Sequence, residues 1–272
     1  MKRISFSFVG LAFHIVCRDA VTESLVSNNF NNNDHAAFDA VALYDARKTS
    51  AGFLLRSPDG KTHKMATDAE FLYTLDKEIT VRAQMMRSDL YFVHSAVIEF
   101  EGNAILLIGE SGTGKSTLTW ALLHHGFRYL SDELAPLDLK TMQVHPFPHA
   151  ICLKNNPPAP YRLPKRVRRT SPTIHIPVQS MPSETCADAQ PVRLLFFLKH
   201  DPSASEPSIA RISPSEGAAR LYSNTLNSLA HDGLGLEQAV SIAKRCQCFV
   251  LESASAEKTC LVLRDVVKNG MG

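Results

Sequence analysis

Apolar and polar residues alternate through "ISFSFVGLAFHIV" near the start of the chain, and a period of two predicts strands. The Asn-rich "SNNFNNNDHA" that follows reads as a loop. "FDAVALYD" and "AGFLLRS", split by "ARKT" and followed by the turn "PDGK", predict hairpin strands. At "TDAEFLYTLDKEITVRAQMM" the period becomes helical: Thr67 or Asp68 caps the start, and Phe71, Leu72, Leu75, Ile79 and Val81 supply an apolar stripe. This helix links a small α+β region, residues 1–88, to the remainder, residues 89–272.

The remainder alternates strands with helices. "YFVHSAVIEF" and "NAILLIG", joined by "EGN", predict a hairpin. A helix follows Gly114 and ends at Gly126, because glycine readily adopts the left-handed conformation that terminates helices. "RYLSDE" reads as a compact strand and "LAPLDLKTMQVHPF" as another hairpin. Eight of the chain's 15 prolines fall in residues 155–191, a density that excludes a regular helix and predicts a long surface excursion. "VRLLFFLKH" returns to a buried strand. "SEGAARLYSNTLNSL" and "GLEQAVSIAKRC" predict helices, "CFVLES" a late strand and "AEKTCLVLRDVVKN" a final helix. There is no internal repeat.

Composition narrows the picture only a little. With 272 residues, 44% hydrophobic and 21% charged, the chain has room for one large domain or one domain with a small companion. A net charge of +2 does not by itself point to nucleic acid or a membrane. The opening "MKRISFSFVGLAFHIVCRDA" is broken by Ser5, Ser7 and His14 and lacks a signal-peptide cleavage pattern, and no run of eighteen apolar residues exists. The expectation is a cytoplasmic protein without a membrane partner. Of six cysteines only Cys246 and Cys248 are close, and "CQC" lacks metal-knuckle spacing. On a strand both sulfurs would face one side, as buried reduced thiols.

The candidate chemistry lies in "GESGTGKST", residues Gly109, Glu110, Ser111, Gly112, Thr113, Gly114, Lys115, Ser116 and Thr117, which fits G-x-x-x-x-G-K-[ST] at every fixed position. Gly109, Gly112 and Gly114 let backbone amides approach phosphate oxygens closely, at a helix N-terminus whose dipole favours an anion. Lys115 would reach the β- and γ-phosphates of ATP, and the Ser116 hydroxyl would join the shell of Mg²⁺. An apolar strand directly before and a helix directly after supply the context the motif requires.

A strand after the loop helix, expected to be parallel, would bring Asp132 and Glu133 beside the phosphates. A nucleotide-binding protein needs one acid there to hold magnesium, whereas a phosphotransferase also needs a base for the attacking hydroxyl. Adjacent acids can divide those tasks, or one can hold the metal while the other is merely solvated. His94, in "FVHSAV", reads either as a packed core histidine or as part of the same site.

The order "HSAV…GESGTGKST…HHGFRYLSDE", with "FPHAICLK", resembles the catalytic domain of HPr kinase/phosphorylase and the diverged HprK-related kinases over residues 90–155. The resemblance implies an α/β fold with a P-loop core like that of HPr kinase and phosphoenolpyruvate carboxykinase, a mixed sheet with flanking helices. It implies that Asp132 deprotonates an acceptor serine, that Glu133 holds magnesium with Ser116, and that His94 tunes Asp132. It also implies a peptide or protein bearing the acceptor serine as partner. The glycine-rich signature tied to phosphorylase activity and hexamer contacts is not found between residues 155 and 200. The diverged single-function relatives include serine kinases of ribosomally made precursor peptides, lasso peptides among them. A small-metabolite kinase and a nucleotide-controlled interaction module are the alternatives.

Lys165, Arg166, Arg168 and Arg169 form the densest positive patch, either a solvated face or a flap meeting phosphates or an acidic peptide. Nucleic acid is not expected, since only Tyr161 interleaves an aromatic ring. Lys154 is a secondary candidate for the phosphate site. The proline-rich excursion either covers that site or contacts a neighbouring subunit, which leaves a homo-oligomer open.

Overall fold

The computed structural model describes residues 1–30, 42–147, 149–201 and 204–270. The chain forms two compact units, one of Met1–Arg87, Pro148–Asn156 and Leu163–Met181, the other of Ser88–Phe147, Pro157–Arg162 and Pro182–Gly272. A single break after residue 88 places 148–156 and 163–181 in the second unit; their packing puts them in the first.

In the first unit β1 (Lys2–Phe8) and β2 (Leu11–Cys17) form an antiparallel hairpin. Helix α1 (Ala20–Asn29) follows, then β3 (Ala42–Thr49), β4 (Gly52–Arg56) and β5 (Thr62–Met65). The five strands form one sheet in sequence order, in which β2 and β3 are parallel. The sequence reading has no helix at 20–29, where only Val21, Leu25 and Val26 are large and apolar. Asp19 nevertheless caps it, its carboxylate accepting from the amides of Val21 at 3.0 Å and Thr22 at 2.9 Å. The Asn-rich loop therefore loses residues 27–29 to α1, and its remainder from residue 31 lies outside the described residues, as does the start of "FDAVALYD". Helix α2 (Asp68–Met86) is capped by Thr67 and buries Phe71, Leu72, Leu75, Ile79 and Ala83. Val81, expected on that stripe, is 44% exposed; Ala83 takes its place because it continues the i, i+4 row from Ile79.

The second unit begins with β6 (Leu90–Phe100) and β7 (Asn103–Ile108), antiparallel and joined through Glu101 and Gly102 at φ 49° and 80°. Helix α3 (Lys115–Leu123) leads through Gly126, at φ 89°, to β8 (Arg128–Ser131), β9 (Leu134–Asp138) and β10 (Gln143–Val144). Strand β8 is antiparallel to β6, which is itself antiparallel to β7, so β8 runs parallel to the loop strand as expected but does not pair with it. The hairpin partner β6 already holds one edge of β7 and a later strand holds the other, so the short β8 has only the far edge of β6 left to pair with.

The proline-rich stretch is more than a surface excursion. Strands β11 (Ile151–Leu153), β12 (Arg168–Arg169) and β13 (Ile174–Ile176) make a small sheet in the first unit. Ile151, Ile174 and Ile176 are buried. His175 is 7% exposed. Its Nδ1 lies 3.0 Å from the Asn29 Oδ1 and its Nε2 2.9 Å from the Thr173 hydroxyl.

The second unit closes with β14 (Gln190–His200), β15 (Ser208–Arg211), α4 (Pro214–Tyr222), α5 (Leu236–Arg245), β16 (Gln247–Ser253) and α6 (Ala256–Gly270). Its sheet runs β10-β9-β6-β7-β14-β16-β15, with β7, β14 and β16 parallel, so the chain is mixed α/β. One face, with Leu106, Leu195 and Cys248, shares a core with Ala218 and Leu221 of α4 and Ala239 and Ile242 of α5. Helix α3 packs against α6. Cys246 and Cys248 are free, and burial pushes their thiols up to about 12 and about 11. No helix among the described residues is long and apolar enough to cross a membrane.

Two tests follow from this packing. A Cβ at Gly217 of α4 would stand 2.6 Å from the Cys248 Sγ and 3.0 Å from its Cβ. Gly217→Ala is therefore expected to cost about 1–3 kcal/mol in urea unfolding, with part recovered when Cys248→Ala is added. Burial, then the neighbouring His149, holds His175 down at about 4. Its folded value lies below its unfolded one, so its contribution is full above pH 6.5 and is lost as pH falls from 6.5 toward 4. His175→Gln should remove on the order of 3 kcal/mol of that acid-side loss relative to the parent chain; unfolding curves of both at pH 7.5 and 4.5 measure the difference.

Candidate functional site

The buried strand β7 delivers the chain straight into the loop Gly109–Gly114. Gly112 and Gly114 sit at φ 97° and 90°, where a side chain would be strained. Gly109 is needed for another reason: a Cβ there would meet the Thr113 Oγ1 at 2.9 Å and the Leu198 carbonyl oxygen at 3.2 Å. The Thr113 hydroxyl and amide both donate to the Glu110 carbonyl, at 2.9 and 3.3 Å, which curls the loop. Gly114 is the N-cap of α3 and gives no side-chain cap, so first-turn amides are left to an incoming anion. Ser111 and Glu110 are exposed, and Ser116 and Thr117 are half-buried on the first turn.

Lys115 is 7% exposed. Its ammonium donates to the Gly109 carbonyl at 2.5 Å and the Glu110 carbonyl at 3.1 Å, and its Nζ lies 3.2 Å from the His94 Nε2. An ammonium has no lone pair, so Nε2 must accept and the neutral ring carries its proton on Nδ1. Burial, then the Lys115 charge, lowers the His94 pKa, while the charge of Glu133 and a hydrogen bond to its backbone pull the other way. His94 is thus no isolated core histidine: it links the phosphate loop to the acidic pair.

That pair lies in the bend between β8 and β9. The Ser131 hydroxyl accepts from the Leu134 amide at 3.2 Å across the bend, and the Ser95 amide donates to the Glu133 carbonyl at 3.3 Å. Asp132 is 1% exposed while Glu133 is exposed. The two adjacent acids thus differ in burial, at a bend that follows a strand running parallel to β7. Ser116 and the exposed carboxylate of Glu133 are the groups suited to a hard cation. The glycine cradle, the uncapped helix end and the buried lysine fit a nucleotide triphosphate with its magnesium.

Five side chains near the loop were not anticipated. Lys199 and His200 at the end of β14, and Arg220, Ser223 and Asn224 on and after α4, line one cavity with residues 109–113. The available signal was "FFLKH", a basic end on an apolar strand. Conversely, Lys154 and the basic run 165–169 belong to the first unit. There Arg168 pairs with Asp68 at 3.5 Å and Arg169 bonds the Asn156 side chain at 3.1 Å.

No family model matches the chain. A stretch of 121 residues is 31% identical to the HPr kinase/phosphorylase of Lactobacillus delbrueckii subsp. bulgaricus, covering 44% of this chain and 33% of that protein. The match thus spans about a third of the length of that relative. Among solved structures, the Hpr(Ser) kinase/phosphatase of Coxiella burnetii aligns with 65% of this chain and 94% of its own, at 12% identity and a TM-score of 0.34. The sequence match relates the chain to kinases of the HPr kinase type.

The contact between Lys115 and His94 has a spectroscopic consequence. Because the ammonium depresses the imidazole, Lys115→Met should raise the His94 pKa, read from its ring signals in an NMR pH titration. An unchanged or lower value would mean that the two groups are not neighbours in solution.

Proposed function

We propose that the chain is an ATP- and Mg²⁺-dependent kinase that transfers the γ-phosphoryl group to a serine hydroxyl of a peptide or protein, a ribosomally made precursor peptide of the lasso type being the favoured acceptor. The observation that carries this reading is the division of Asp132 and Glu133 into one buried and one exposed acid at a bend tied through His94 to Lys115. The similarity to HPr kinase/phosphorylase supports the reaction class. The acceptor class is carried by the resemblance to the diverged peptide kinases alone.

In this reading the amides of the loop and of the first turn of α3 hold the phosphates. Lys115 exchanges its carbonyl partners for phosphate oxygens and offsets charge on the transferring group. Ser116 and Glu133 would hold magnesium, which would supply positive charge against the charge developing on the phosphate. Asp132 would take the proton of the acceptor hydroxyl as its oxygen bonds to the γ-phosphorus, and the bond from that phosphorus to the β–γ bridging oxygen breaks to release ADP. His94, kept neutral by burial and by Lys115, accepts from that lysine and so fixes its position without adding a second cation. Positioning and electrostatics supply most of the rate. In the cell the protein is cytoplasmic, where ATP and reduced thiols both prevail.

Asp132→Asn should keep nucleotide affinity within about twofold while transfer falls by about 10²-fold or more. The measurement is calorimetric ATP binding beside incorporation of γ-³²P from labelled ATP in cell extract, separated into protein and small-molecule fractions. Equal loss of binding and transfer would make Asp132 a structural acid. Label appearing only among small molecules would replace the peptide acceptor with a metabolite.

A further inference from the structure

The cavity beside the phosphate loop contains a cation that the reading above does not use. It has a volume of about 540 Å³, with Ile108 and Phe197 at its base, Gly109–Thr113 along one wall and Arg220 and Asn224 of the α4 region along another. The loop wall is the end that matters. Lys115, the residue that reaches the outer phosphates in such loops, holds its ammonium on the carbonyls of Gly109 and Glu110. In the kinase reading, a terminal phosphate that meets Lys115 lies beside Gly109 and Glu110, which also line the cavity.

Arg220 is positioned rather than loosely hung. The Asn224 side chain donates to the Arg220 carbonyl at 2.8 Å, and the Asn224 carbonyl accepts from the His94 amide at 2.8 Å. This ties the last turn of α4 to the strand that carries His94. Inward-facing Ala218 and Leu221 anchor the helix in the core. The guanidinium meanwhile rests on Glu216, its Nε and Nη2 at 3.0 and 2.8 Å from a single carboxylate oxygen. Both side chains are more than two-fifths exposed, and solvated pairs of this kind are weak. The other cations at the rim have partners across the sheet, Lys199 on Glu252 at 3.1 Å and the His200 ring at 3.1 Å from the Ser253 hydroxyl. Arg220 is the one with a planar fork, the geometry suited to two phosphate oxygens at once.

We propose that Arg220 is a phosphate-contacting residue that leaves Glu216 and donates its N–H groups to the terminal phosphate of a triphosphate held by the loop. This rests on the reading of the chain as an ATP-dependent kinase and adds a second cation to the one on Lys115. A group on the terminal phosphate distinguishes ATP from ADP, whereas the loop and Lys115 hold both.

The test compares magnesium complexes of β,γ-imido-ATP and of ADP, titrated calorimetrically into the full chain. Arg220→Ala should weaken the imido analogue by about tenfold or more and ADP by less than about twofold, since a charge-assisted contact is lost only where the γ-phosphate exists. Glu216→Gln, which frees the guanidinium, should leave the analogue's affinity equal or higher. If Arg220→Ala melts below the assay temperature, Arg220→Lys, which keeps the charge and loses the fork, should show a smaller loss of the same selectivity. Equal weakening of both nucleotides, no weakening of either, or a selective loss in Glu216→Gln would overturn the assignment while the nucleotide-binding reading stands. A parent chain that binds neither nucleotide would remove that reading and Arg220's role with it.

Discussion

A buried ammonium sets the terms for the site. Lys115 is almost wholly removed from water, so its three protons need acceptors from the protein. Two come from main-chain carbonyls of its own loop, and the His94 Nε2 faces it at 3.2 Å. The same contact settles the imidazole: a protonated ring would set two cations against each other at that separation, so the ring stays neutral. The loop, its lysine and the strand β6 are therefore fixed as one piece.

Sheet topology then decides what surrounds this piece. The hairpin of β6 and β7 puts His94 and the loop at the same end of adjacent strands, since Ser95 pairs with Ile108. On the β6 side the antiparallel β8 brings the acidic bend to that end. On the β7 side the parallel β14 ends at the same level, its Leu198 carbonyl oxygen 3.2 Å from where a Cβ on Gly109 would stand. Acids thus lie to one side of the loop and cations to the other.

Much of this was legible in the chain, and what was missed has identifiable causes. The strand, glycine loop and helix around residues 103–123 could be read because each glycine answers a local steric demand. The hairpin at "EGN" and the cap at Thr67 could be read for the same kind of reason. Helix α1 was missed because ten residues with only three large apolar side chains give little periodic signal, though Asp19 marks its start. The partner of β8 was not legible because four residues do not say which edge they will pair with; occupancy of both edges of β7 sends it to β6. The return of residues 148–156 and 163–181 to the first unit was invisible for a related reason. Strands β11 and β13 have three residues each, and their partners are set by packing. Arg220 escaped notice since nothing local distinguishes it from any arginine paired to a glutamate four residues earlier on an exposed helix.

The kinase reading rests on the difference in burial within the acidic pair. A magnesium-binding protein is served by one acid at the sheet edge, and a carboxylate there gains from contact with water-bound metal, as the exposed Glu133 allows. A second acid with no chemical task is most cheaply left in solvent. Asp132 instead is 1% exposed at a bend that Ser131 and the Ser95 amide help to fix. Removing a carboxyl from water carries a desolvation cost of several kcal/mol unless partners offset it. A buried acid next to an exposed one is the division of roles that the proposed kinase reading requires.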